Sequence, residues 1–287
     1  MSAIYRRELR SYFCGMTGVI FIAFLLLMTG IYMTVYNLNG GYPNFEYALS
    51  GVIFIFLIAV PVLTMRSLAE EKHARTDQLL YALPVSLTEV VMAKYLAMVT
   101  VYAVPIGVMC FYPLILSLYG TVTLGSAYGS ILAFFLLGCA LIAICMFVSS
   151  LTESQVIAAV ISVAVLLLTY LMSGIAGLIP STAGASLAGF LVITVLIGLI
   201  VNVMTKNTPV AIGVTVLLAL AVTVLYFVNS TMFEGLLPDL LTGLALFDRF
   251  QSFINGIFDV TAIVYYITVI ALFVYLTVQS LEKKRWS

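Results

Sequence analysis

Few residues in this chain can do chemistry, and they are gathered unevenly. Of 287 residues, 12 are Lys or Arg, 12 are Asp or Glu, and His73 is the one histidine. The densest gathering runs from Arg66 to Lys94, where Glu70, Glu71, Lys72, His73, Arg75, Asp77 and Glu89 share one stretch. Covalent or acid–base catalysis needs a nucleophile beside a base, and metal-assisted hydrolysis needs a cluster of ligands. This stretch has neither, and His73 reads as a solvated loop residue rather than a ligand. What mixed charge on an amphipathic segment does supply is a docking surface, either for lipid headgroups or for a partner protein.

Other chemistries find no support. Cys14, Cys110, Cys139 and Cys145 lie in or beside apolar runs without CxxC spacing, and read as small core residues. No GxxxxGK[ST] phosphate-binding loop occurs, so ATP is not expected to bind this chain in that manner, and no cofactor or metal is expected in it. Balanced acidic and basic residues exclude a nucleic-acid binder, which needs clustered basic surface. The sequon Asn229-Ser230-Thr231 is a three-residue match, and methionine-rich runs are filler more often than metal relays.

The elements that must position the charged stretch follow from composition. The chain is 63% hydrophobic and 8% charged, against about 25% charged for a soluble domain. No soluble fold covers its surface with so few charges, so the class is an all-α polytopic membrane protein. Intervals free of Asp, Glu, Lys and Arg run 11–45, 47–65, 95–152, 154–205, 207–233 and 260–281. A span takes about 20 apolar residues, so two intervals hold a pair each, turning at "YGTVTLGSAYGS" (119–130) and "SGIAGLIPSTAGAS" (173–186). Eight spans are expected, near 15–36, 47–66, 95–118, 128–149, 155–179, 187–204, 209–228 and 260–280. The first reads as a retained span rather than a signal peptide. An even count places Arg6, Arg7, Arg10, Arg66, Lys72, Arg75, Lys94, Lys206, Lys283, Lys284 and Arg285 on one side, with Arg249 alone opposite beside Glu46, Glu234, Asp239, Asp248 and Asp259. Basic flanks mark the cytoplasm, so both termini are expected there.

Arg66–Lys94 is then the largest cytoplasmic loop. Thr76, Leu79, Leu80 and Leu83 share one helical face, and Pro84 ends that helix because the residue before it is pushed from the α region. Ser86 and Glu89 form an S-x-x-E capping box, with Val85 and Val90 as its staple. A short amphipathic helix is thereby joined by a rigid elbow to the third span, and a push on one moves the other. The loop lies on headgroups or docks a cytoplasmic partner.

The stretch "TMRSLAEEKHARTDQLLYALPVSLTEVVMAKYLA" (64–97) resembles the cytoplasmic loop of ABC-2 type permeases, the membrane subunits of type V ABC exporters. It looks closest to the branch with the gliding-motility and nitrous-oxide-reductase-maturation permeases. The resemblance implies a coupling helix that sits on a nucleotide-binding subunit, carried by Glu70, Glu71, Thr76, Leu79, Leu80, Pro84, Val85, Ser86, Glu89 and Lys94. "AIYRRELRSYF" (3–13), with Arg6, Arg7 and Glu8, is similar to the family's amphipathic amino-terminal helix. "SSLTESQVIAA" (149–159), with Thr152, Glu153 and Gln155, resembles the turn between spans four and five, and Thr152 and Gln155 have capping-box spacing. "FDRFQSFINGIFD" (247–259) resembles an extracellular segment, whose Phe247, Phe250, Phe253, Gly256 and Asp259 are a candidate outer gate. The chain departs from the family at Arg75 and Gln78, where Gly and Glu are usual, and in the 187–228 pair, since this branch usually has six spans.

The resemblance implies a single permease domain over 1–287, with its coupling loop at 67–93, an inserted pair at 187–228 and an outer amphipathic segment at 234–258. It implies two permease subunits, alike or different, in a bacterial-type inner membrane with two ATPases that carry the ATP and Mg. The function it implies is conformational transport, outward in direction by family analogy alone, with no catalytic residue in this chain. The alternative is an ion-coupled secondary transporter or channel without an ATPase. Such proteins place Asp, Glu, His or Lys in mid-membrane, and the span centres hold none. The 234–258 segment is open between a helix resting on outer headgroups and a re-entrant gate.

Overall fold

Charge-free runs of this length satisfy their backbone amides in hydrocarbon by coiling, and the computed structural model is built accordingly. It describes residues 1–73, 86–205 and 208–286, and the regular elements among them are helical. In chain order they are α1 (Ser2–Cys14), α2 (Met16–Met33, continued by a π-helical segment, Thr34–Asn39), α3 (Glu46–Ile53), α4 (Phe56–Thr64), α5 (Ala69–His73) and α6 (Leu87–Met109). There follow α7 (Tyr112–Ser117), α8 (Leu124–Leu151), α9 (Gln155–Leu178), α10 (Ala183–Thr205), α11 (Thr208–Val228), α12 (Leu236–Leu244), α13 (Gln251–Ile254) and α14 (Val260–Trp286).

Among the described residues, six runs are long and apolar enough to cross a bilayer: Met16–Asn39, Leu87–Ser117, Leu124–Leu151, Gln155–Leu178, Thr208–Val228 and Val260–Lys283. The α3–α4 pair makes a seventh if its two halves count as one span. One of the eight expected spans is not a single continuous helix. The span expected at 47–66 bends by 63°, because Ile55, Leu57 and Ile58 donate to carbonyls three residues back at 2.9–3.2 Å, a tighter winding than the α-helix. The span expected at 187–204 falls on α10, Ala183–Thr205.

The chain divides into two compact units, Met1–Leu168 with Arg249–Ser287, and Thr169–Asp248. In the first, α8 is the central helix, with α4, α6 and α14 packed on it. Tyr102 of α6 is fully buried and donates to the Phe134 carbonyl at 2.8 Å. Its ring stacks on Phe135 at 5.6 Å and meets Phe21 and Phe56 edge-on. Gly138 makes this possible, since a Cβ there would lie 2.4 Å from the Tyr102 ring. In the second unit, α10 and α11 form a hairpin with Gly198 pressed against Thr215. Gly235, at φ +74°, opens α12, and its amide donates to the Ser181 carbonyl at 2.9 Å. The 187–228 pair expected from sequence lies in this unit.

Candidate functional site

The amino-terminal helix has the two-faced pattern expected of it. Ile4, Tyr5, Glu8, Leu9 and Tyr12 are its less exposed residues, at helical spacing, while Arg6, Arg7 and Arg10 face outward. A single residue, Gly15, joins it to α2. A Cβ on Gly15 would lie 2.5 Å from the Ser11 carbonyl oxygen, so the tight joint needs glycine. Tyr5 meets Thr100 of α6 at 2.9 Å. Tyr12 is buried, its hydroxyl donates to the Leu63 carbonyl at 3.4 Å, and burial pushes the phenol above its ordinary pKa.

Around Lys94 the charges predicted as separate sites form one clasp. Lys94 is 2% exposed. Its ammonium lies 3.2 Å from Glu8 Oε1 and 2.9 Å from Glu71 Oε1, and donates to the Ser67 carbonyl at 3.0 Å. Arg7 Nη2 bridges the same two carboxylates, at 2.7 Å to Glu8 and 3.1 Å to Glu71. Burying an ammonium is costly unless it is paired, and here two carboxylates and one carbonyl surround it. The hydrogen bond to Glu8 holds the Arg7 guanidinium above its ordinary pKa, and the forked bond to Glu70 does the same for Arg66. The clasp joins α1, α5 and α6, and a cavity of about 360 Å³ opens beside it.

The start of the loop is also tied to the end of α8. Ser149 Oγ accepts from the Leu68 and Ala69 amides at 3.3 and 3.2 Å and donates to the Met65 carbonyl at 3.4 Å. Lys72 donates to the Ser150 carbonyl. The supporting contacts therefore come from Ser149 and Ser150 rather than from Thr152, Glu153 and Gln155. The Thr152–Gln155 capping box does not form: the Thr152 hydroxyl is buried without a hydrogen-bond partner, and α9 starts at Gln155 with Ser154 before it. Both serines stand in the "SSLTESQ" stretch, but only proximity to residues 65–72 singles them out.

Ser86 caps α6, accepting from the Glu89 amide at 3.3 Å. The reciprocal arm of that box is not made, because Glu89 Oε2 instead faces the Met1 ammonium at 3.3 Å. Thr76, Leu79, Leu80, Pro84 and Val85, the remainder of the predicted coupling helix and elbow, lie outside the described residues. Arg6 is exposed and stands apart from the clasp.

The 247–259 segment is gathered in part. Phe250 is fully buried, with Phe134 at 6.1 Å and Phe253 at 6.4 Å. Ser130 Oγ donates to the Phe253 carbonyl at 3.1 Å. Gly256, at φ +76°, turns the chain toward α14, and Asp259 Oδ1 caps that helix by accepting from the Thr261 amide at 2.8 Å. Arg249 lies 4.0 Å over the Tyr265 ring. Phe247 belongs to the second unit, where it packs edge-on against Tyr170. Sequence reasoning gave no role to Glu46, which begins α3 at 1% exposure with neither carboxylate oxygen hydrogen-bonded.

Comparison with known proteins adds one match. A family model described as ABC-2 family transporter protein covers residues 26–230, more than half of the chain. No curated protein and no solved structure matches.

Proposed function

We propose, on the premise that the chain belongs to the ABC-2 family of transporter proteins, that it is the permease subunit of an ATP-driven exporter. Family and apolar helices together make it a multi-pass membrane transport subunit rather than an enzyme. In this reading ATP and Mg bind a separate ATPase, and two permeases and two ATPases assemble in a bacterial-type inner membrane with both termini cytoplasmic. Residues 64–97 put it nearest the gliding-motility and nitrous-oxide-reductase-maturation branch. ATP-driven closure of the ATPases pushes the coupling loop, and the loop moves the spans. Phe250, Phe253, Gly256 and Asp259, with Phe247, serve as the outer gate.

The observation that carries this reading is the Lys94 clasp. It ties Glu8 of α1 and Glu71 of α5 to the buried start of α6, so a force on the loop has a stiff route into three helices. The test is a mild-detergent pull-down of the tagged chain from native membranes, with mass spectrometry. A stoichiometric protein bearing a GxxxxGK[ST] loop, lost on Leu80→Glu, is the expected result. A chain that comes out alone even after cross-linking refutes the ATPase reading.

A second reading, an ion-coupled transporter, draws on Glu46, whose buried carboxylate oxygens lack hydrogen-bond partners. Buried carboxylates at spans are candidate ion-path groups, and Glu46 stands at the first residue of α3. This reading predicts that Glu46→Gln abolishes transport while ATP depletion at a maintained ion gradient does not.

A further inference from the structure

The wall of the cavity beside the clasp includes a residue whose buried hydroxyl the clasp leaves unsatisfied. The cavity lies among Tyr12 of α1, Gly15 and Thr17 at the start of α2, and the stretch from Arg66 to Glu71. Three cations line it (Arg7, Arg66 and Lys94), as do three carboxylates (Glu8, Glu70 and Glu71). Ser67 lines it too. Ser67 is 5% exposed, and its hydroxyl has no hydrogen-bond partner. Buried hydroxyls are rarely left so, and each exception needs an account.

The donors divide into spent and open. Lys94 is paired with Glu8 and Glu71 and donates to the Ser67 carbonyl. The Arg7 and Arg66 side chains remain 57% and 42% exposed. Guanidinium forks suit phosphate oxygens. The charges lining the cavity cancel, so a simple anion meets no net attraction, whereas a molecule carrying both signs meets complementary groups for each. Just beyond the rim, Met16, Val19 and Ile20 expose apolar side chains along α2.

We propose that this cavity holds the phosphoethanolamine headgroup of a phospholipid. The phosphate sits against Arg7, Arg66 and the Ser67 hydroxyl, and the primary ammonium donates to the Glu70 and Glu71 side of the cavity. The acyl chains leave along the exposed apolar face of α2. A choline headgroup has no N–H to donate to the carboxylates, and a glycerol headgroup has no positive charge to place there. The site goes beyond the transport reading and stands without it.

The test is native mass spectrometry of the detergent-purified chain, with whatever subunits accompany it, titrated with phosphatidylethanolamine, phosphatidylcholine and phosphatidylglycerol. A charge-assisted hydrogen bond is worth roughly one decade in binding, so phosphatidylethanolamine is expected to be retained about tenfold better than either competitor. Ser67→Ala and Arg66→Gln should each erode that preference, and Ser67→Ala, which removes an unpartnered hydroxyl, leaves the fold intact. Equal retention of the three lipids, or an unchanged preference in Ser67→Ala, overturns the proposal. Soluble O-phosphoethanolamine is the remaining arm: failure to displace the lipid supports a lipid site, and displacement at equal concentration overturns it in favour of a soluble ligand.

Discussion

The Lys94 ammonium and the Glu71 carboxylate stand 2.9 Å apart, so the two flanks of the charged loop meet at a buried ion pair on either side of residues 74–85. The same ammonium holds Glu8 of the amino-terminal helix. Elements from three parts of the sequence thus converge on one side chain, in a chain where charge is scarce.

Removing that side chain leaves Glu8 and Glu71, both largely shielded from water, with Arg7 as their shared cation. Lys94→Met is expected to cost about 3–5 kcal/mol, the range for breaking a buried pair, read as a lowered melting temperature of the purified protein. Adding Glu8→Gln and Glu71→Gln to the variant should restore much of the loss. A Lys94→Met protein that melts like the parent would dissolve the clasp as a structural element.

Ser149 and Thr152 make a matched comparison. Ser149→Ala leaves the Leu68 and Ala69 amides without their acceptor, at about 1–3 kcal/mol, and amide exchange over 67–73 should accelerate. Thr152→Ala removes a hydroxyl with no partner, and exchange there should stay as it was. Equal effects from the two would contradict this assignment of support to Ser149.

Gly138 sits under the Tyr102 ring. Gly138→Ala overpacks the α6–α8 contact, with an expected loss of about 1–3 kcal/mol. Tyr102→Phe keeps the ring and forfeits one buried hydrogen bond, worth about 0.5–1.5 kcal/mol. Thermal melts should rank them in that order, and a harmless Gly138→Ala would mean that α6 and α8 approach less closely.

At the other end, Asp259→Ala removes the cap of α14 and should cost about 0.5–2 kcal/mol, with Asp259→Asn retaining most of it. Gly256→Ala forces a side chain into a left-handed conformation, at about 1–2 kcal/mol. If this segment gates the path, Gly256→Ala also lowers transport-coupled ATP hydrolysis by more than the stability loss explains. Coupled activity that merely tracks stability would leave the segment a structural corner.

The helices were legible because an interval without charges can be measured directly, and residues 95–152 and 154–205 fold as helix pairs near where their turn-rich centres stand. The bend between α3 and α4 was not. Neither Phe54 nor Ile55 is a breaker, and Pro61 lies within α4 rather than at the bend. Glu8, Glu71 and Lys94 were each legible as site residues from the family loop and helix. Their union was not, because no local pattern ties position 8 to position 94. Ser149 was hidden for a related reason: a serine that accepts two distant amides looks in sequence like any other. Thr152 shows the converse, a capping spacing that tertiary packing overrode.

Gly15 has a mechanical consequence. A joint one residue long has little slack, so a displacement of α1 would turn it about the head of α2 as a lever turns. Counted at 1.5 Å per residue, the arm is about 20 Å long and Glu8 grips it about 10 Å from the fulcrum. A shift of about 2 Å at Glu8 therefore tilts the arm by roughly 11° on that geometry, and its far end sweeps about twice the distance moved at the grip. The amino-terminal helix would then be a gear, enlarging small displacements of the clasp.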